Sequence, residues 1–251
     1  MNKNLLYLFL QAISWQVFSQ DNIVLAQANS KSNSDKVVVK LEAGMKTEDR
    51  FLMPILGINQ KTAAETTIDK SFLEMCRKNF PNLSEASKFF ADRAWEYLAE
   101  AELDTAMHRF SLCYLLNQKN VDAYWGAGVI CFQKGDFDNA KIALNKGFDI
   151  DSTNASLLVD LATVELNGYE KTMLPENLKI AHKHLEKAID IDPMNILAWL
   201  KRSETEYYLE NYENSWDCIH SARLLDITKI DLIFAEKLNA KMKDPQGVFK
   251  F

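Results

Sequence analysis

The sequence predicts an all-α fold: four stacked helix-turn-helix units with a capping helix at each end. Three observations carry that expectation. Gly and Pro are scarce, 8 and 5 of 251 residues, and no linker concentrates them, so the Ala, Leu, Glu and Lys that favour helix run unbroken. A pattern recurs at 34 residues, pairing Phe90 with Tyr124, Leu103 with Phe137, Asp104 with Asp138, Ala106 with Ala140 and Phe110 with Leu144. Within Ala123–Ala140 two apolar helical faces are split by a turn signal, Gly135-Asp136.

Composition bounds the rest. With 47% hydrophobic and 25% charged residues the chain is ordinary globular material with enough apolar side chains for a sizeable core. A formal charge of −6 argues against a nucleic-acid partner, which needs clustered Lys and Arg on one face.

Taken in order, Met1–Ser19 has one early cation, Lys3, and an apolar run from Leu5, and reads as a signal peptide leaving Gln20 at the mature end. Gln11, Ser14 and Gln16 make it too polar for a stable membrane span. The mature chain is then expected in the periplasm or secreted, as a monomer. Residues 20–70 read as an irregular arm. Its segment 51–58, Phe-Leu-Met-Pro-Ile-Leu-Gly-Ile, is apolar and expected to be non-helical, so it must bury itself on the helical domain. Residues 71–86 hold a capping helix with Phe72, Met75, Cys76 and Phe80 on one face, stopped by Pro81; Ser84 and Glu85 start the next.

Four units follow, 87–120, 121–154, 155–195 and 196–229. The third carries seven extra residues, since Ala181 follows Ala140 by 41 while Leu158 follows Tyr124 by 34. The excess falls at 168–177, where Gly168 is expected to end one helix and Pro175 to open the next. Residues 230–251 give a closing helix, with Ile230, Ile233, Phe234 and Leu238 on one face, and a tail.

Tyr124, Ala127-Gly128, Gly135-Asp136-Phe137, Ala140, Leu144 and Gly147, with Ala188–Pro193 closing the third unit, resemble the tetratricopeptide repeat. The resemblance spans 87–229, although the fourth unit has Arg202-Ser203 and Ser215 where Leu-Gly and Ala are usual. It implies a right-handed superhelical solenoid in which small residues (Ala94, Gly128, Ala162, Ser203) let helices approach, and a protein or peptide ligand in a groove lined by the first helix of each unit. Phe18-Ser19-Gln20 and the run 86–128 further resemble exported repeat proteins of Gram-negative, Bacteroidetes-type bacteria; no activity comes with that likeness.

No residues read as a catalytic, cofactor or metal site, and the expectation is a protein that is not an enzyme. His182 and His184 are two apart on a helix and cannot chelate together; both are expected on the surface. Asp136–Asn139 lacks the Gly and Glu of a calcium loop. The four cysteines sit among apolar neighbours and read as buried thiols, with Cys113–Cys131 the candidate if any pair bridges.

By the resemblance, groove positions fall on Asp92, Trp95, Asp122, Trp125, Val129, Phe132, Asp160, Leu200, Lys201, Glu204 and Tyr207, with Lys88 at the near end. Family members that hold a carboxylate do so with Lys, Asn and Arg, and Ala91, Trp95, Gly126 and Asp160 stand there instead. The expected protein-binding residues are Trp95, Trp125, Val129, Phe132, Leu200, Lys201 and Tyr207, an aromatic and apolar face suited to an apolar helix or extended peptide. Trp125, Val129 and Phe132 have no packing duty in the repeat. The alternative is that segment 51–58 fills this groove itself.

Overall fold

A computed structural model describes residues 49–57 and 63–251, all within one compact unit, Lys46–Phe251. The expected signal peptide at 1–19, most of the arm and Ile58 lie outside the described residues. Those described are all-α. Two helices precede the repeats, α1 (Asp49–Ile55) and α2 (Ala63–Asn79). Four pairs follow: α3 (Leu83–Ala99) with α4 (Leu103–Leu116), α5 (Val121–Gln133) with α6 (Phe137–Ile150), α7 (Ala155–Thr172) with α8 (Pro175–Ile191), and α9 (Ile196–Tyr208) with α10 (Tyr212–Leu225). A 3₁₀ turn, Ile227–Lys229, leads to α11 (Leu232–Asn239).

Each first helix starts on an asparagine. Asn82, Asn120, Asn154 and Asn195 accept backbone N–H groups from Glu85, Asp122, Leu157 and Ala198. Each cap satisfies an otherwise orphaned donor and stabilises its helix by about 1 kcal/mol. The first of these places the start of α3 at Leu83, ahead of the Ser84-Glu85 pair that the sequence suggested.

The turn inside a repeat is built the same way three times. The N–H of Glu102, Asp136 and Asn211 returns to the C=O of Tyr97, Cys131 and Glu206 at 2.9 Å, the six-to-one bond of a Schellman ending. That ending needs a left-handed residue, and Ala101 (φ 62), Gly135 (φ 80) and Glu210 (φ 62) supply it. Only the second repeat uses the residue suited to that conformation.

Stacking rests on small side chains. Ala94, Ala162, Ser203, Ala106, Ala140 and Ala181 are fully buried, and a Cβ on Gly128 would come within 2.5 Å of Leu144. The core runs along the stack as three clusters: one from α1 to α7, one in the third repeat, one in the fourth repeat with α11. Phe148 packs on both the first and second clusters, and Trp199 on the second and third.

Three expectations are corrected. The extra residues of the third repeat lengthen its helices to 18 and 17 residues, against 13 and 14 in the second. Gly168 therefore lies inside α7, where a Cβ would meet the Asn177 side chain at 2.7 Å, and left-handed Met173 (φ 54) ends the helix instead. Segment 51–57 is largely helical, with Pro54 in the last turn of α1 and Gly57 (φ 87) ending it. At the far end, the break at 227–231 changes the register of the closing helix. Ala235 and Leu238 turn inward while Ile233 is 80% exposed.

The C-terminal tail is ordered on α10. Asp244 accepts from the backbone N–H of Gln246, Val248 and Phe249 and lies 2.8 Å from His220 Nε2. Trp216 Nε1–H donates to the Met242 carbonyl, and Phe249 stacks on Trp216 and His220.

The three turns give a clean comparison, because a Cβ on Gly135 would touch nothing within 4 Å. Gly135→Ala should cost roughly 1 kcal/mol through backbone strain alone, and Glu210→Gly should stabilise by roughly 0.5–1 kcal/mol. Urea unfolding of both variants measures this; equal stabilities would show that the left-handed turn is not limiting.

Candidate protein-binding groove

The first helices α3, α5, α7 and α9 pack on one another in sequence and form one layer of the stack. Tryptophans join its first three members. Trp95 on α3 donates its Nε1–H to Asp122 on α5 at 3.0 Å, and Trp125 on α5 donates to Asp160 on α7 at 2.6 Å. The two indoles meet edge to face, with centroids 4.7 Å apart. Both remain half-buried. Behind them the fully buried Phe110 ring meets Trp95 edge-on at 5.1 Å and lies against Gly126, whose Cβ, if present, would be 2.0 Å from that ring.

Val129 and Phe132 continue the face of α5 beyond Trp125 at i+4 and i+7. Phe132 meets Phe137 edge to face at 5.3 Å, and the Lys171 ammonium sits 3.4 Å from the Phe137 ring centre. Trp95, Trp125, Val129 and Phe132 are therefore gathered on one continuous half-buried surface. Trp125 and Phe132 do have packing roles, contrary to the sequence expectation. The carboxylates Asp122 and Asp160 were legible only as groove positions; their pairing with tryptophans 27 and 35 residues away was not.

Leu200, Lys201 and Tyr207 lie on α9 in different surroundings. Tyr207 is packed among Tyr208, Tyr212 and Phe234, with the Lys237 ammonium 4.8 Å from its ring centre. Leu200 packs on the cluster of the fourth repeat, and Lys201 pairs with Glu204 at 2.8 Å. The closing helix thus covers part of the surface that the sequence assigned to ligand.

Segment 51–57 does not take the place foreseen for it. Leu52 and Ile55 are buried, but α1 packs on α4 and α5, and Phe51 stacks on His108 at 4.5 Å. His108 is two residues from both Ala106 and Phe110, which face α3, so it points to the opposite side of α4. Gly57 lies against Lys146 of α6. Segment 51–57 is seated on α4 and α5 because, once helical, it buries Leu52 and Ile55 against them.

Other groups are structural. No disulfide joins Cys113 and Cys131. Cys113 faces α3, with Sγ 3.3 Å from Ser87 Oγ, whereas Cys131 shares the α5 face of Gly128, which meets α6. Burial pushes the thiols of Cys113 and Cys218 up to about 12 and that of Cys76 to about 11, far from nucleophilic at neutral pH. The two histidines expected on the surface are partly buried. His182 Nδ1 is 3.1 Å from the buried Glu206 carboxylate, and His184 lies against Phe148, its pKa lowered chiefly by burial. Among the described residues no three His, Cys, Asp or Glu gather as a metal site, and no helix is long and apolar enough to cross a membrane.

Paired helices stacked through small residues, with a groove on the first helices, define a helical-repeat solenoid. Its second unit, residues 121–154, matches the tetratricopeptide repeat family model, and the fold is a tetratricopeptide-repeat solenoid. TTC0263 of Thermus thermophilus, a thermophilic protein of this kind, is similar in structure at 14% identity and TM-score 0.51 over 64% of this chain and 93% of its own. MamA (41-end) of Desulfovibrio magneticus RS-1 is similar at 14% identity and TM-score 0.51, over 64% of this chain and 87% of its own. YrrB, described as having an unusual peptide-binding site, aligns at 19% identity and TM-score 0.49 over 63% and 79%. No curated protein matches the chain.

Asp160 makes a testable mark on stability. Burial pushes its carboxyl up to about 6, outweighing the Trp125 N–H that draws it down. An acid whose pKa is raised on folding destabilises the fold when ionised, so this contribution worsens as pH rises from about 4 through 6. Asp160→Asn, which keeps an acceptor for Trp125, should be about 3 kcal/mol more stable than the parent at pH 8, converging with it below pH 4. Thermal unfolding across that range checks the sign.

Proposed function

We propose that this chain is a monomeric protein-interaction module of the cell envelope or its exterior, exported by its N-terminal signal segment. It holds an apolar helix or extended peptide on the first-helix face. The observation that carries this reading is the Trp95–Trp125 pair, two indoles fixed by carboxylates of neighbouring helices and only half-buried beside Val129 and Phe132. Rigid aromatic side chains on an open surface bind at low entropic cost. Leu200, Lys201 and Tyr207 bound the far end.

A random dodecapeptide library displayed on phage, selected on the full mature chain, is expected to converge on binders. Trp95→Ala with Trp125→Ala should weaken those binders by at least tenfold while the helical circular-dichroism signal is kept. Val129→Glu, which blocks the face without truncating an indole, should do the same. Binding that survives both variants removes the groove as the site. Export is read separately: the protein recovered from the periplasm or medium should begin at Gln20.

A further inference from the structure

The charges on the proposed binding face are not evenly spread. Asp92, Asp122 and Asp160 stand on α3, α5 and α7 beside Trp95 and Trp125, while Lys88 and Lys201 stand at the two ends. The end cation Lys201 is already engaged by Glu204 at 2.8 Å. Other nearby cations are engaged too: Arg93 pairs with Glu96, and Lys134 with Asp104. Asp122 and Asp160 each accept a tryptophan N–H, and among the described residues neither is ion-paired with a Lys, Arg or His.

We infer that the part of the groove built by α3, α5 and α7 selects a basic side chain, lysine or arginine, within the bound peptide. This rests on the groove reading above and names the ligand chemistry. An indole face attracts a cation through its quadrupole, and a carboxylate beside it adds charge-assisted hydrogen bonds. Here two indoles and two carboxylates alternate within one contiguous surface, a composition suited to a cation and hostile to an acidic peptide. The burial that holds the Asp160 carboxyl up to about 6 points the same way, because no cation among the described residues compensates that carboxylate. A cation brought by the ligand would do so. The net charge of −6 draws basic peptides toward the whole molecule, so the test must separate local selection from general attraction.

The dodecapeptide pools above make that separation. Pools selected on the parent chain should be enriched in Lys or Arg flanked by apolar residues. A synthetic peptide from such a pool should bind at least tenfold more weakly when its basic residue is replaced by norleucine, read by fluorescence anisotropy. Asp122→Asn with Asp160→Asn should remove that preference, and so should Asp160→Asn alone in part. Asp149→Asn with Asp190→Asn, the same charge change at exposed sites on α6 and α8, should leave it intact. Pools that favour Asp or Glu, pools without charge bias, or a norleucine peptide that binds equally well would overturn the inference. If such pools still lose binding on Trp95→Ala with Trp125→Ala, the groove stands and only its selectivity is wrong; if none does, both fall.

Discussion

The contact on which the first half of the solenoid depends is the seating of Phe110 against Gly126. Phe110 belongs to the second helix of one repeat and Gly126 to the first helix of the next, so the contact sets how closely the two repeats can approach. The ring is fully buried, and a single added methyl would overlap it. Trp95 rests edge-on against the same ring, and Trp125 rests against Trp95. The aromatic surface of the groove is thus the outer layer of a packing chain that begins in the core. Close-packed interiors transmit displacement, so a shift at Gly126 would be carried to both indoles before any surface residue changed.

Much of this architecture was legible because repetition multiplies weak local signals. The 34-residue spacing located the small residues, and those named sit fully buried where helices approach. What escaped had physical reasons. The helical state of 51–57 is a tertiary outcome, since Pro54 and Gly57 read as breakers while burial of Leu52 and Ile55 against α4 and α5 stabilises a short helix. The fate of the seven extra residues was ambiguous, because an insertion at a turn can extend either helix, and a glycine within a helix looks like a glycine ending one. Asn82, Asn120, Asn154 and Asn195, each just ahead of a first helix, are cap signals visible in the sequence itself. The Trp–Asp bonds were not readable, because they link neighbouring repeats at unequal separations and depend on side-chain direction.

The two ends of the stack are closed differently, and this bears on where the proposed ligand could lie. At the N-terminal end Phe72 of α2 and Phe80 just beyond it pack onto Phe90 and Phe89 of α3. That contact closes the core but leaves Trp95 only half-buried. At the C-terminal end Phe234 and Lys237 of α11 lie on Tyr207, and the tail places Phe249 over Trp216 and His220. A terminal repeat must cover the apolar face that would otherwise meet the next unit, and here the same covering reaches onto the first-helix layer.

The groove residues of the first two repeats and of the fourth are half-buried alike, but those of the fourth share their surface with α11, and α7 lies between. That asymmetry gives the acidic residues their meaning. On a covered surface, a carboxylate such as Asp160 would be a defect that evolution could relieve with a nearby lysine; the protein has 29 Lys and Arg, and none among the described residues is paired with it. On the proposed binding face the same carboxylate would complete a surface whose attraction for a cation the described residues leave unsatisfied. A fold that tolerates this loss of stability beside two fixed indoles is arranged as binding sites commonly are, with local stability given up where an outside group is to supply it.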